Sequence, residues 1–144
     1  MNKNKIITRD FRYIIDYHHS YGELSPFFEG LTKKKLMGTR CKPCRKTYAT
    51  PRTHCMECGK VCRWVQLPSE GVIHTWTTCY YGSEEFLKET PYHLILVQFP
   101  GVDTLFLSQL KKAKEGAIEI GMAVKAQYKS KPKLTASDVY FIPS

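Results

Sequence analysis

Cys41, Cys44, Cys55 and Cys58 stand as two C-x-x-C steps with ten residues between them, the strongest chemical signal in this 144-residue chain. A two-residue spacer lets a tight turn aim both sulfurs at one point, and the longer connection brings the second pair round to complete a tetrahedron. The set predicts structural zinc, ahead of iron or a redox-active dithiol. Four thiolates leave no coordination position for a substrate water, so the metal is expected to hold structure and to do no hydrolysis. Cys62, four residues past the second step, reads as a spare rather than a ligand.

Cys79 lies in a strand-like run with His74, a pairing that invites a nucleophile reading. A free cysteine in a strand is more often a small buried hydrophobe. His18, His19, His54 and His93 have no partner that the sequence specifies. No catalytic residue is assigned.

Those cysteines need elements to position them. From Leu36 to about Gln66 the chain is rich in cysteines, basic residues and turn formers, with too little apolar material for a core of its own. From Gly71 onward the texture changes to alternation: "GVIHTWTTCYY", "YHLILVQF", "DTLFLSQL", "MAVKAQYK" and "DVYFIP" read as five short strands of a small all-β barrel. Gly121 falls at a bend before the fourth run, and "GSEEFLKETP" reads as a loop or short helical turn. Upstream, Ser25 as N-cap, Pro26 at the first helical position and Glu29 in the early helix predict a short helix over Pro26 to Lys35, with Phe27 and Leu31 inward. Residues 1–22 carry Ile14, Ile15 and several tyrosines without a clear period.

The formal net charge is +9, or +7 once four thiolates and one divalent ion are counted (4 × −1 + 2 = −2). A basic balance suits an anionic partner: nucleic acid, a phosphorylated cofactor or an acidic protein surface. Hydrophobic residues make up 42%, enough for a packed core and against overall disorder. Charge interrupts every apolar run near the start, so no secretory signal or membrane span is expected, and a reducing cytoplasm fits the paired cysteines better than disulfides.

In order along the chain, "FFEGLTKKKLMGTRC", the first C-x-x-C, "TPR" before the second, then "SEGVIHTWT", "PYHLILVQF", "IGMAVKAQY" and "YFIP" resemble the zinc-ribbon plus OB-fold family catalogued as domain of unknown function 35. The resemblance covers residue 24 to the end. It implies a mostly β protein: an N-terminal helical segment over 1–36, a rubredoxin-like zinc ribbon over 37–66 and an OB-fold barrel over 67–144. It also implies an accessory subunit of a thiolase-superfamily enzyme, in a hetero-oligomer that handles acyl-CoA, with the nucleophilic cysteine in the partner. Two positions depart from the family pattern: Arg45 stands where a glycine often follows the second cysteine, and Thr50 replaces the first proline of a Pro-Pro-Arg step.

Coenzyme A carries a polyanionic 3′-phosphoadenosine diphosphate with a flat base. Lys42, Arg45, Lys46, Arg52, Lys60 and Arg63 crowd the knuckles beside Tyr48 and Trp64, offering cations for phosphate and an aromatic for stacking, with Arg52 the foremost candidate. A competing expectation is a single-stranded nucleic-acid-binding module stacking bases on Trp76, Tyr80, Tyr81, Phe99 and Phe106. The basic residues gather around the cysteines while "YHLILVQF" is nearly uncharged, which weighs against nucleic acid. A rubredoxin-type redox protein would need iron and visible colour.

Overall fold

The computed structural model describes residues 6–84 and 86–144. A 3-10 turn at Gly22–Leu24 runs directly into helix α1, Ser25–Thr32. Ser25 therefore already has helical dihedrals, and its hydroxyl donates back to the Gly22 carbonyl at 2.6 Å. Leu24, not Ser25, holds the N-cap position. The helix also stops three residues before the predicted Lys35. Lys34 takes a left-handed φ of 56°, its N–H bonds the Leu31 carbonyl, and the Lys35 N–H reaches back to Gly30. This double closure satisfies the last carbonyls with a lysine where glycine is usual.

Strands β1 (Met37–Arg40), β2 (Thr47–Tyr48) and β3 (Arg63–Gln66) form an antiparallel sheet of order β2-β1-β3. At Gly38 of β1 a Cβ would lie 2.5 Å from the Tyr48 carbonyl oxygen and 2.7 Å from Leu67, so only glycine lets the strand pass there.

The five predicted barrel runs become β4 (Glu70–Cys79), β5 (Tyr92–Gln98), β6 (Phe106–Leu110), β7 (Ala123–Tyr128) and β8 (Val139–Pro143). They close in the order β4-β5-β6-β8-β7, with β6 and β8 parallel and the other pairs antiparallel. This is an OB-fold barrel. Alternation decides its inside: His93, Ile95 and Val97 of β5 point inward with Val124, Val139 and Phe141 from the other strands. Gly121 sits at the expected bend with φ 87°, and the connection after β4 contains the 3-10 turn Leu87–Glu89.

Apart from a small buried cluster of Tyr48 with Cys41, Cys55 and Cys62, the small sheet shares the barrel's core. Phe27 and Leu31 of α1, together with Leu36, Ala49 and Leu67, pack into one apolar cluster with Ile73, Phe99 and Phe106. Polar bonds fix the register of this junction. Asp103, in the loop between β5 and β6, accepts the Thr47 N–H at 2.7 Å and donates its own N–H to the Thr47 carbonyl at 3.0 Å. Thr104 accepts the Ala49 N–H at 2.8 Å.

Asp103→Ala leaves the buried Thr47 amide without its carboxylate. Loss of a hydrogen bond to a charged group predicts about 1.5–3 kcal/mol of destabilisation, read in denaturant unfolding, whereas Asp103→Glu is expected to retain part of it.

Candidate metal centre

Each C-x-x-C step closes the same way. The Cys41 N–H bonds the Lys46 carbonyl and the Cys55 N–H bonds the Lys60 carbonyl, both across five residues. The fourth residue after the leading cysteine is left-handed in both: Arg45 at φ 60° and Gly59 at φ 68°. The second knuckle uses the residue that geometry favours. The first strains an arginine into the same turn, which gives a physical reason for glycine at the position where Arg45 departs from the family pattern.

The two turns face one another. The sulfurs of Cys41, Cys44, Cys55 and Cys58 all lie within 4.8 Å of each other, with Cys41 and Cys58 at 3.6 Å. Sulfurs at about 2.3 Å from a tetrahedral zinc stand about 3.8 Å apart, so the cluster fits one zinc ion with small adjustments. Cys41 and Cys55 are buried, Cys44 is half-buried and Cys58 exposed, which places the site at the surface end of the sheet. Cys62 is buried beside the cluster but outside the converging set, and burial pushes its thiol upward.

Tyr48 is the residue that the sequence reading misplaced. Its side chain is only 3% exposed, so it cannot offer a face to a nucleotide base. Its phenolic oxygen accepts the Met56 N–H at 3.1 Å, and the hydroxyl lies 3.3 Å from the Cys55 sulfur. A Cys55 thiolate, the form that binds metal, can only accept, so the phenolic proton would then point at the sulfur as an outer-shell partner of the ligand. That bond, helped by amides of the second knuckle and opposed by burial, pulls the metal-free Cys55 thiol down to about 6. Cys44 is pushed up to about 12, first by its contact with the Cys58 thiol and then by burial.

The basic candidates around the knuckles are dispersed. Lys42, Arg45 and Arg52 are exposed, and the Arg52 backbone is braced by its N–H to Thr39 Oγ1 at 2.8 Å. Lys46 is drawn to Glu57 at 2.9 Å across the two turns. A concavity of about 410 Å³ on this sheet is lined by Glu23, Thr39, Thr53, His54, Val61, Cys62 and Trp64, none of them lysine or arginine.

Cys79 is half-buried at the end of β4, while His74 sits exposed at the β4 bulge. The ring of His93 bonds Thr78 at 3.0 Å. Among the described residues no histidine nitrogen is hydrogen-bonded to Cys79. Of the aromatics considered for base stacking, Phe99 and Phe106 are core, Trp76 is half-buried, and only Tyr80 and Tyr81 stand exposed.

A four-cysteine cluster on a small sheet, bolted to a closed five-stranded OB-fold barrel, defines the class of this protein. Residues 64–129 match the family described as ChsH2, C-terminal OB-fold domain. The fold is similar to that of an Ltp2-ChsH2 (DUF35) aldolase structure, with a TM-score of 0.72 and 23% identity over 88% of this chain and 98% of that one. It is also similar to a DUF35-family protein of unknown function from Sulfolobus solfataricus, with a TM-score of 0.64 and 20% identity over 89% of this chain and 90% of that one. The DUF35 resemblance seen in the sequence therefore extends to the three-dimensional fold.

Two outcomes follow for the site. Tyr48→Phe removes the hydrogen bond that favours the Cys55 thiolate, so zinc affinity is expected to fall about 10- to 100-fold, measured by chelator competition. Because protons compete for the same sulfurs, zinc release on acidification moves to higher pH in that variant; an unchanged release midpoint would refute the outer-shell role. Arg45→Gly relieves the left-handed turn and is expected to raise stability by about 1 kcal/mol, seen as a higher midpoint in denaturant with zinc bound.

Proposed function

We propose that this chain is a non-catalytic, zinc-binding accessory subunit of a thiolase-type acyl-CoA enzyme complex, which helps to position the CoA thioester and stabilises its partner. The similarity of fold over 88% of the chain to a DUF35 protein in an Ltp2-ChsH2 aldolase carries this reading. In it, Cys41, Cys44, Cys55 and Cys58 hold zinc, with residues 1–36 as the N-terminal segment, 37–66 as the ribbon and 67–144 as the barrel. The closed set of four sulfurs, with no hydrogen-bonded Cys79–His pair, supports assigning the chemistry to the partner.

Lys42, Arg45 and Arg52 remain the proposed contacts for CoA phosphates, and their dispersal supports a site completed by the partner. Lys46 enters that set only by leaving Glu57, and Tyr48 serves the zinc site instead. The reducing cytoplasm, which keeps six cysteines free, belongs to the same proposal. Among the described residues no helix is long and apolar enough to cross a membrane.

The direct test is recovery of the tagged chain from its own host at native abundance and moderate salt, followed by mass spectrometry and absorbance at 260 nm. A stoichiometric thiolase-superfamily protein is expected. Bound nucleic acid without such a protein would favour the single-strand-binding alternative. In the assembled complex, Cys44→Ser is expected to lose zinc and weaken assembly, whereas Cys79→Ala leaves turnover within about twofold. A loss of orders of magnitude with Cys79→Ala would make this chain a catalyst.

A further inference from the structure

Seven large apolar or aromatic side chains between Ile6 and Tyr17 are 65–88% exposed, and the segment carries no regular secondary structure. Together they present on the order of 1,000 Å² of accessible surface, above the roughly 300–600 Å² of the largest apolar patch on an ordinary monomer. Tyr21 anchors the base of this arm: its ring stacks on Phe28 of α1 at 3.6 Å between centroids, and its hydroxyl donates to the Leu134 carbonyl at 2.5 Å.

Within the arm a period emerges that the tyrosines obscure over the longer stretch. Ile7, Phe11, Ile14, Ile15 and His18 fall at i, i+4, i+7, i+8 and i+11, one stripe of an α-helix. Arg9, Arg12, Tyr13 and Asp16 fall on the opposite side, with Asp10 and His19 on the flanks. Twelve residues are too few to hold a helix in water without something to pack on. Arg9 and Arg12 are balanced by Asp10 and Asp16, giving residues 6–20 no net charge with neutral histidines. A surface-seeking membrane helix would instead carry an excess of lysine and arginine on its polar face. A neutral polar side with a dense apolar stripe suits a groove on another protein, whose rim meets charges of both signs.

We infer that residues 7–18 fold on binding into an amphipathic helix that seats Phe11, Ile14 and Ile15 in an apolar groove of the partner subunit. This rests on the accessory-subunit reading and adds to it the segment that docks. The ordering cost is met on the partner, so the arm acts as a tether distinct from the zinc site.

The test uses the full chain and the thiolase-superfamily subunit recovered with it. Hydrogen exchange of the arm is compared in the free chain and in the complex, and affinity is measured for the wild type and for Phe11→Asp/Ile15→Asp. The arm amides of residues 7–18 are expected to be exchange-protected only in the complex, and the double variant to bind at least tenfold more weakly with unchanged zinc content and unfolding midpoint. An unprotected arm with wild-type affinity in the variant overturns the inference and leaves the subunit reading standing. Arm-dependent self-association without partner, or arm-dependent binding to phosphatidylserine-containing vesicles, assigns the stripe to a second copy or a lipid surface and overturns it. Failure of any thiolase-type subunit to bind the wild-type chain removes both.

Discussion

The small sheet cannot hold itself. Its three strands contain few apolar residues, and its two cysteine turns converge four sulfurs that can all be thiolates only with a cation between them. Two external supports answer this constraint. At one end the four sulfurs fit a zinc ion, and at the other the Thr47–Asp103 exchange and the shared apolar cluster fasten the sheet to the barrel. Tyr48 links the two: it follows Thr47 in β2, and its hydroxyl reaches the Cys55 sulfur. The sulfur cluster and the barrel junction are thereby held by adjacent residues of one strand.

This arrangement separates stiffness from chemistry. The barrel interior is filled by Ile95, Val97, Val124, Val139 and Phe141. Among the described residues no histidine is hydrogen-bonded to the half-buried thiol of Cys79. The surfaces that remain for function are the exposed cations near the knuckles and the apolar arm ahead of Tyr21. Both are groups that a second molecule would put to use, in keeping with the proposed accessory-subunit role.

Much of this was legible in the sequence because the signals are local and periodic. The paired cysteine spacing gave the sulfur cluster, and period-two alternation gave all five barrel strands. The predicted helix was found with its ends shifted, since a preceding 3-10 turn put Ser25 inside the helix and the left-handed Lys34 ended it early. Tyr48 was misread because an aromatic among cations looks alike whether it faces solvent or a sulfur; only the fold of β2 over the second knuckle decides. Asp103 and Thr104 carried no signal at all, being more than 50 residues from the amides they hold. The arm's period was hidden by Tyr13 and Tyr17, which fall off its apolar stripe.

The central claim is that this chain supplies structure and surface to a partner that supplies the chemistry. Calorimetric titration of an acyl-CoA thioester into the purified hetero-oligomer, into each subunit alone, and with zinc quantified on the same samples, tests it most directly. One zinc per chain, with thioester binding strengthened in the complex and undetectable for this chain by itself, is the predicted result. Turnover or full-strength thioester binding by the isolated chain, or assembly that is indifferent to removal of its metal, would contradict it.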